Sequence, residues 1–194
     1  VEAIKEAVAR GFRVTVNCTL FTNAVPDKVA EFFDYVSTLG TEGITVSPGY
    51  AYERAPVQDH FLGRRQTKDL FRDIFRMGKG RAQKWRFNQS SLFLDFLAGN
   101  QTYTCMPWGN PARNVFGWQK PCYLVGEGFV GSFKELMETT DWDTYGTGNY
   151  EKCANCMAHC GYEPTSVVDT VSHPLKALKV FMRGVDTEGP MAPE

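Results

Sequence analysis

The first fifty residues spell one supersecondary unit twice: an amphipathic helix, a glycine, then an alternating strand. Val1, Ile4, Ala7 and Val8 share a helical face, and Gly11 suits a helix terminator. Residues 12–17 then alternate, with Phe12, Val14 and Val16 on one side and Arg13, Thr15 and Asn17 on the other. Pro26 and Asp27 open a second helix that runs to about Leu39 on an apolar stripe of Val29, Phe32, Phe33 and Val36. Gly40 closes it, and Gly43 leads into a second strand in which Ile44 and Val46 oppose Thr45 and Ser47. Alternation of helix and strand with a period of roughly thirty residues predicts parallel strands joined by crossover helices, an α/β fold.

In such a fold, chemistry sits at the carboxyl ends of the strands. Those ends are expected at Asn17-Cys18-Thr19 and at Ser47-Pro48-Gly49-Tyr50. The polar second side of both strands suits the wet, ligand-holding interior of a β/α barrel, and Asn17, Ser47 and Tyr50 are candidate ligand contacts. Glu53 and Arg54 follow in the same loop and join them; the plainer reading is a solvated ion pair. Cys18 shares strand parity with Val16 and is expected to pack against helices.

Residues 66–77 form a third helix burying Leu70, Phe71, Ile74 and Phe75. Residues 78–86 are basic and read as a solvated linker, which places a domain boundary near 78–88. Residues 88–100 form a short helix or strand. The chain thus divides into a unit spanning 1–80 and a unit spanning 81–194. The formal net charge of −1 gives no pull toward nucleic acid. No apolar run reaches the ~20 residues that span a bilayer. The N-terminus carries no secretion leader, so a cytoplasmic location is expected; it also opens on Val1 in what reads as mid-helix, which suggests an N-terminal truncation.

Beyond residue 100, long periodic segments give way to Gly, Pro, aromatics and cysteine. Residues 102–125 read as two or three short strands with Cys105 and Cys122 at either end; residues 132–142 read as a helix with Ser132 as N-cap and Glu135 at the capping-box position; a last helix covers 173–184. Cys153, Cys156 and Cys160 carry C-x2-C-x3-C spacing, which on a helix puts three thiols on one face. Three convergent soft donors suit zinc or an iron–sulfur cluster, and spacing alone does not separate the two. A disulfide framework needs an oxidising compartment, which nothing here signals. Cys105 or Cys122 is available to complete the site. His159 is a further zinc donor by type, but a helix turns it off the cysteine face.

The strings VNCTLF, GITVSPGYAYERAP, SSLFLDFLAGNQTYTCMPWGNPARNVFGWQKPCYL, FKELMETTDW and YGTGNYEKCANCMAHCGYE resemble the radical SAM proteins of hopanoid biosynthesis, the adenosyl hopane synthases, along essentially the whole chain. The resemblance implies that residues 1–80 are later βα units of a radical SAM partial (β/α) barrel and that residues 81–194 are a Cys-rich α+β extension. It implies a 4Fe–4S cluster that reductively cleaves S-adenosylmethionine, and addition of the resulting 5′-deoxyadenosyl radical to the hopene diploptene to give adenosylhopane. A flavodoxin or ferredoxin as electron donor and peripheral membrane contact follow from the same likeness. The family binds its catalytic cluster through C-x3-C-x2-C; that motif does not occur here, so this chain by itself is expected to be inactive, with those ligands upstream. The extension also resembles auxiliary-cluster domains of the SPASM or twitch type, whose opening signature C-x9–15-G-x4-C is met by Cys105, Gly117 and Cys122. On that likeness, Cys105, Cys122 and two of Cys153, Cys156 and Cys160 hold one auxiliary cluster. Asn17, Ser47, Tyr50, Glu53 and Arg54 are the positions implied to face S-adenosylmethionine. Set against this is a metal- or Fe–S-stabilised binding module without catalysis.

Overall fold

A computed structural model describes residues 1–52 and 55–193. The repeat at the start of the sequence folds as α1 (Glu2–Ala9), β1 (Thr15–Leu20), α2 (Pro26–Ser37) and β2 (Gly43–Pro48). The two strands pair in parallel, with Thr15 opposite Gly43 and Leu20 opposite Pro48. The α2 helix ends where expected, because Gly40 takes φ +76°, a conformation that a side chain resists. The first strand lies three residues later than alternation suggests: Phe12 is exposed, and pairing begins at Thr15. Alternation around residues 12–14 has no partner strand to use, since Val14 instead accepts from the Glu42 N–H (2.8 Å) beyond the ladder.

The basic segment expected to be a linker is structural. Residues 86–88 run alongside β2: the Ile44 N–H donates to the Arg86 carbonyl (2.8 Å), and the Asn88 N–H donates to the Ile44 carbonyl (3.0 Å). Gln89 prolongs this edge with its side chain, accepting from the Val46 N–H (2.9 Å) and donating to the Val46 carbonyl (2.6 Å). Trp85 donates to Asp34 on α2 (2.7 Å), and Arg81 pairs with the same carboxylate.

Helix α3 (Arg64–Gly78) packs on α2, and α4 (Ser91–Leu97) is buried along nearly its whole length. Beyond α4 come the small antiparallel sheet of β3 (Arg113–Asn114), β4 (Gly117–Gln119) and β5 (Phe129–Val130), then α5 (Phe133–Thr139), α6 (His159–Ser172) and α7 (Pro174–Arg183). One apolar cluster unites Phe33, Ile44, Val46, Phe71 and Ile74 with Phe93, Phe96, Met157 and Tyr162. The change of composition near residue 80 is therefore no break in the core. Among the described residues, no helix is long and apolar enough to cross a membrane.

Candidate metal centre

Cys153, Cys156 and Cys160 do not share a helix. Cys153 ends a 3₁₀ turn (Glu151–Cys153), Cys156 stands in the loop after it, and Cys160 lies in the first turn of α6. The break is local: the Cys153 carbonyl accepts from the Cys156 N–H (3.0 Å), and helical bonding restarts only at Ala158. Cys105 precedes another 3₁₀ turn (Pro107–Gly109), and the Met106 N–H donates to the Gly161 carbonyl (2.7 Å), fastening that loop onto α6. Cys122 follows β4, with the β3–β4 hairpin lying between Cys105 and Cys122 as the sequence suggests.

All five cysteines line one cavity of about 280 Å³, together with Tyr52, Tyr145, Lys152 and Tyr162. Gly161 makes the approach possible: a Cβ at that position would run into the Cys105 sulfur. Arg64, at the start of α3, braces the cysteine loop. It donates to the Cys156 carbonyl (2.7 Å) and to the Thr147 hydroxyl (3.2 Å), and its guanidinium lies over the Tyr162 ring at 5.6 Å. Tyr162 stacks on Phe96 at 4.8 Å, so the cavity floor is continuous with the main core.

Burial is the first cause of a raised pKa at every one of these thiols. It pushes Cys156 up to about 12 and Cys160 up to about 11, and it raises Cys105, Cys122 and Cys153 as well. The second cause at Cys105 is the neighbouring cysteines themselves, since each thiolate discourages the next. Working against burial are backbone N–H groups aimed at sulfur: from Leu124 and Val125 to Cys122, from Gly146 to Cys153, and from Ala158 to Cys156 (3.5 Å). A half-buried pocket of thiols with sulfur-directed donors is an environment in which a multiply charged cation turns thiols into thiolates. By type, the five thiols are soft donors of the kind that ligate zinc or iron–sulfur clusters. The sulfurs sit around the wall: among the described residues, no group of three or more His, Cys, Asp or Glu side chains is gathered as a single ion requires. His159 does not line the cavity, and its Nδ1 is buried without a hydrogen-bond partner.

The other candidate residues scatter. Asn17 lies in the middle of β1 opposite Thr45, exposed on the open face of the sheet, rather than at a strand end. Ser47 is buried, 3.4 Å from the Thr19 hydroxyl. Tyr50 reaches the second unit, where its hydroxyl meets that of Tyr123, which lies beside Cys160 and favours its thiolate. Glu53 and Arg54 lie outside the described residues. Cys18 packs against the core as its parity predicts, and burial raises it to about 11. Sequence reasoning missed Tyr123, Arg64 and Gly161. Their one signal was adjacency: Tyr123 and Gly161 each follow a cysteine, whereas Arg64 gave none.

Residues 44–180 match a family described as a domain of unknown function (DUF3463), and the chain belongs to that family. Neither the curated proteins nor the solved structures compared with the chain match it.

Proposed function

With that membership as the premise, we propose that the chain is the cysteine-bearing part of a radical SAM enzyme of hopanoid biosynthesis. In this reading residues 1–80 supply βα units of the partial barrel, and the cysteine cavity holds one auxiliary 4Fe–4S cluster. The catalytic cluster ligands lie in another part of the polypeptide. The parent enzyme adds the 5′-deoxyadenosyl radical from S-adenosylmethionine to diploptene, in the cytoplasm, drawing electrons from a flavodoxin or ferredoxin.

The observation that carries the reading is the convergence of five cysteines, from three separate stretches of chain, on one cavity. Five cysteines gathered on one cavity are more than core filling asks for, and a bound cation would offset the mutual repulsion of their thiolates. Five candidates compete for four places: Cys105 and Cys122, plus two of Cys153, Cys156 and Cys160. A bound cluster would supply electron transfer; the protein's own part is to hold the sulfurs, direct N–H groups at them and exclude water. A metal- or Fe–S-stabilised binding module without catalysis is the competing reading, favoured by the apolar surface that α7 leaves exposed.

The test is anaerobic reconstitution of the chain with iron and sulfide, followed by iron, sulfide and zinc analysis and Mössbauer spectroscopy. A four-iron signature that is lost in the Cys122→Ser variant is the expected result. Substoichiometric iron, or tightly held zinc that iron does not displace, overturns it.

A further inference from the structure

Helix α7 is pinned to the core along one narrow row. Ala177 and Val180 are buried against Leu92 of α4, and the Ser91 hydroxyl donates to the Ala177 carbonyl (3.2 Å). Two further rows run along the helix, each with the i, i+3, i+7 spacing that keeps side chains in line. Leu175, Leu178 and Met182 form one, and Lys176, Lys179 and Arg183 form the other. Successive residues turn by about 100°, so the apolar row points away from the buried one and the basic row runs along its flank. Leu175 is 81% exposed and Met182 76% exposed; Phe181, on the opposite flank, is also 76% exposed. Val171 is exposed just before them, at the end of α6. An amphipathic helix wholly in water turns its apolar side inward, whereas most of this one faces outward.

The charges are as one-sided as the apolar residues. The helix holds three cations and no carboxylate. The carboxylates that pair with it are sunk below the surface. Lys176 donates to Asp169 (2.6 Å), whose side chain is 13% exposed, and Arg183 lies 3.7 Å from Asp95, which is fully buried. Both cations stay exposed, as does Lys179. Asp186, just past the helix, spends its carboxylate on the Glu188 N–H (3.0 Å) and the Gly189 N–H (3.2 Å). The outer surface is therefore an apolar ridge with a cationic border. That is the composition of a helix that lies in a lipid interface: the apolar side chains enter the acyl boundary, and the basic ones run their stems along it to reach anionic headgroups. A second copy seated ridge to ridge would bring one basic row near an identical one, with no carboxylate in α7 to answer it.

We propose that α7 is the face through which this chain lies on an anionic lipid surface. Leu175, Leu178, Phe181 and Met182 enter the acyl boundary, and Lys176, Lys179 and Arg183 meet the headgroups. The assignment holds for either reading of the cysteine cavity, because it uses none of the residues that line it.

Sedimentation of the full chain with vesicles tests it. One set of vesicles is phosphatidylcholine alone, and the other is phosphatidylcholine mixed with phosphatidylglycerol. A Leu175→Ser/Phe181→Ser variant removes part of the ridge, Lys179→Glu reverses one charge of the border, and Val115→Ser/Phe116→Ser is a control at the tip of the β3–β4 hairpin, where both residues are also exposed. The expected result is binding to the phosphatidylglycerol vesicles that falls at least about tenfold in the ridge variant and at least about fivefold in Lys179→Glu, and is unchanged in the hairpin control. Absence of binding, equal binding to both sets of vesicles, or an equal loss in the hairpin control overturns the proposal. So does a dimer, seen by light scattering, that the ridge variant dissociates, since the ridge would then belong to a second copy. Circular dichroism and the thermal midpoint establish that each variant folds. Lys179→Glu changes only an exposed side chain, so it keeps the test decisive if the ridge variant does not fold.

Discussion

Gly161 is where the fate of one atom decides the sign of a mutation. It lies within α6 and has an ordinary helical backbone, so alanine there would gain up to about 1 kcal/mol of helix propensity. Against this, the new Cβ collides with the Cys105 sulfur. Overpacking of that kind costs ~1–3 kcal/mol where the neighbour cannot yield. A free cysteine side chain can rotate away, but a sulfur tied to a metal cannot. Gly161→Ala is therefore expected to lower the urea midpoint of the metal-loaded protein and to reduce retained iron, while the same change in a Cys105→Ala background is neutral or stabilising. A loaded Gly161→Ala protein more stable than its parent would show that Cys105 is unconstrained. At this scale the sequence was informative about donors and silent about contacts. The five cysteines were legible by type and spacing, because soft ligands in a chain of ordinary charge are conspicuous. Their meeting with Gly161, Arg64 and Tyr123 was not, because it depends on loops that only the folded core places.

Among the elements, those with a strong period were read well and those without were not. The sequence shows α2 and α3 clearly, since a stripe of Val29, Phe33 and Val36 or of Phe71, Ile74 and Phe75 has one use. The α6 helix was missed beyond its first turn. Gly161 and Pro164 interrupt it, and Thr165, Val167, Val168, Thr170 and Val171 are β-branched, so local propensity argues against a helix that tertiary packing nevertheless imposes. Part of that packing is a serine pair. Ser90 caps α4, accepting from the Phe93 N–H (3.1 Å), and its hydroxyl is 3.1 Å from that of Ser166 on α6. Ser166 spends its own proton on the Glu163 carbonyl (2.7 Å), so Ser90 is the donor between them. Ser90→Ala thus removes a helix cap and an inter-helix hydrogen bond together. The expected cost is about 1–2 kcal/mol by urea unfolding. Ser166→Ala should cost less, and a double-mutant cycle should show coupling between the two; strict additivity would mean that the pair does not join the helices.

On the scale of the whole molecule, two kinds of order share one core. Residues 1–100 are held by helices, paired strands and buried apolar side chains, an arrangement that needs no ligand. Residues 140–158 hold only two 3₁₀ turns, and few of their side chains are buried. Regular backbone hydrogen bonding and apolar burial set local opening energies, so this stretch belongs to the low-stability end of the protein unless something else ties it down. Arg64 and Tyr162 are two such ties; a metal group bridging Cys153 or Cys156 to Cys105 and Cys122 would be the stronger one, since binding free energy becomes folding free energy where the apo site is loose. Hydrogen exchange with and without metal measures the difference. Removal of iron should speed amide exchange across residues 143–158 by at least about tenfold, while α3 and β2 keep their protection. Unchanged exchange in that stretch would show that its order comes from protein contacts alone. Uniform loss of protection through α3 and β2 would show that the cysteine cavity and the α/β core unfold as one cooperative unit, as the shared Phe96–Tyr162 stack would then transmit.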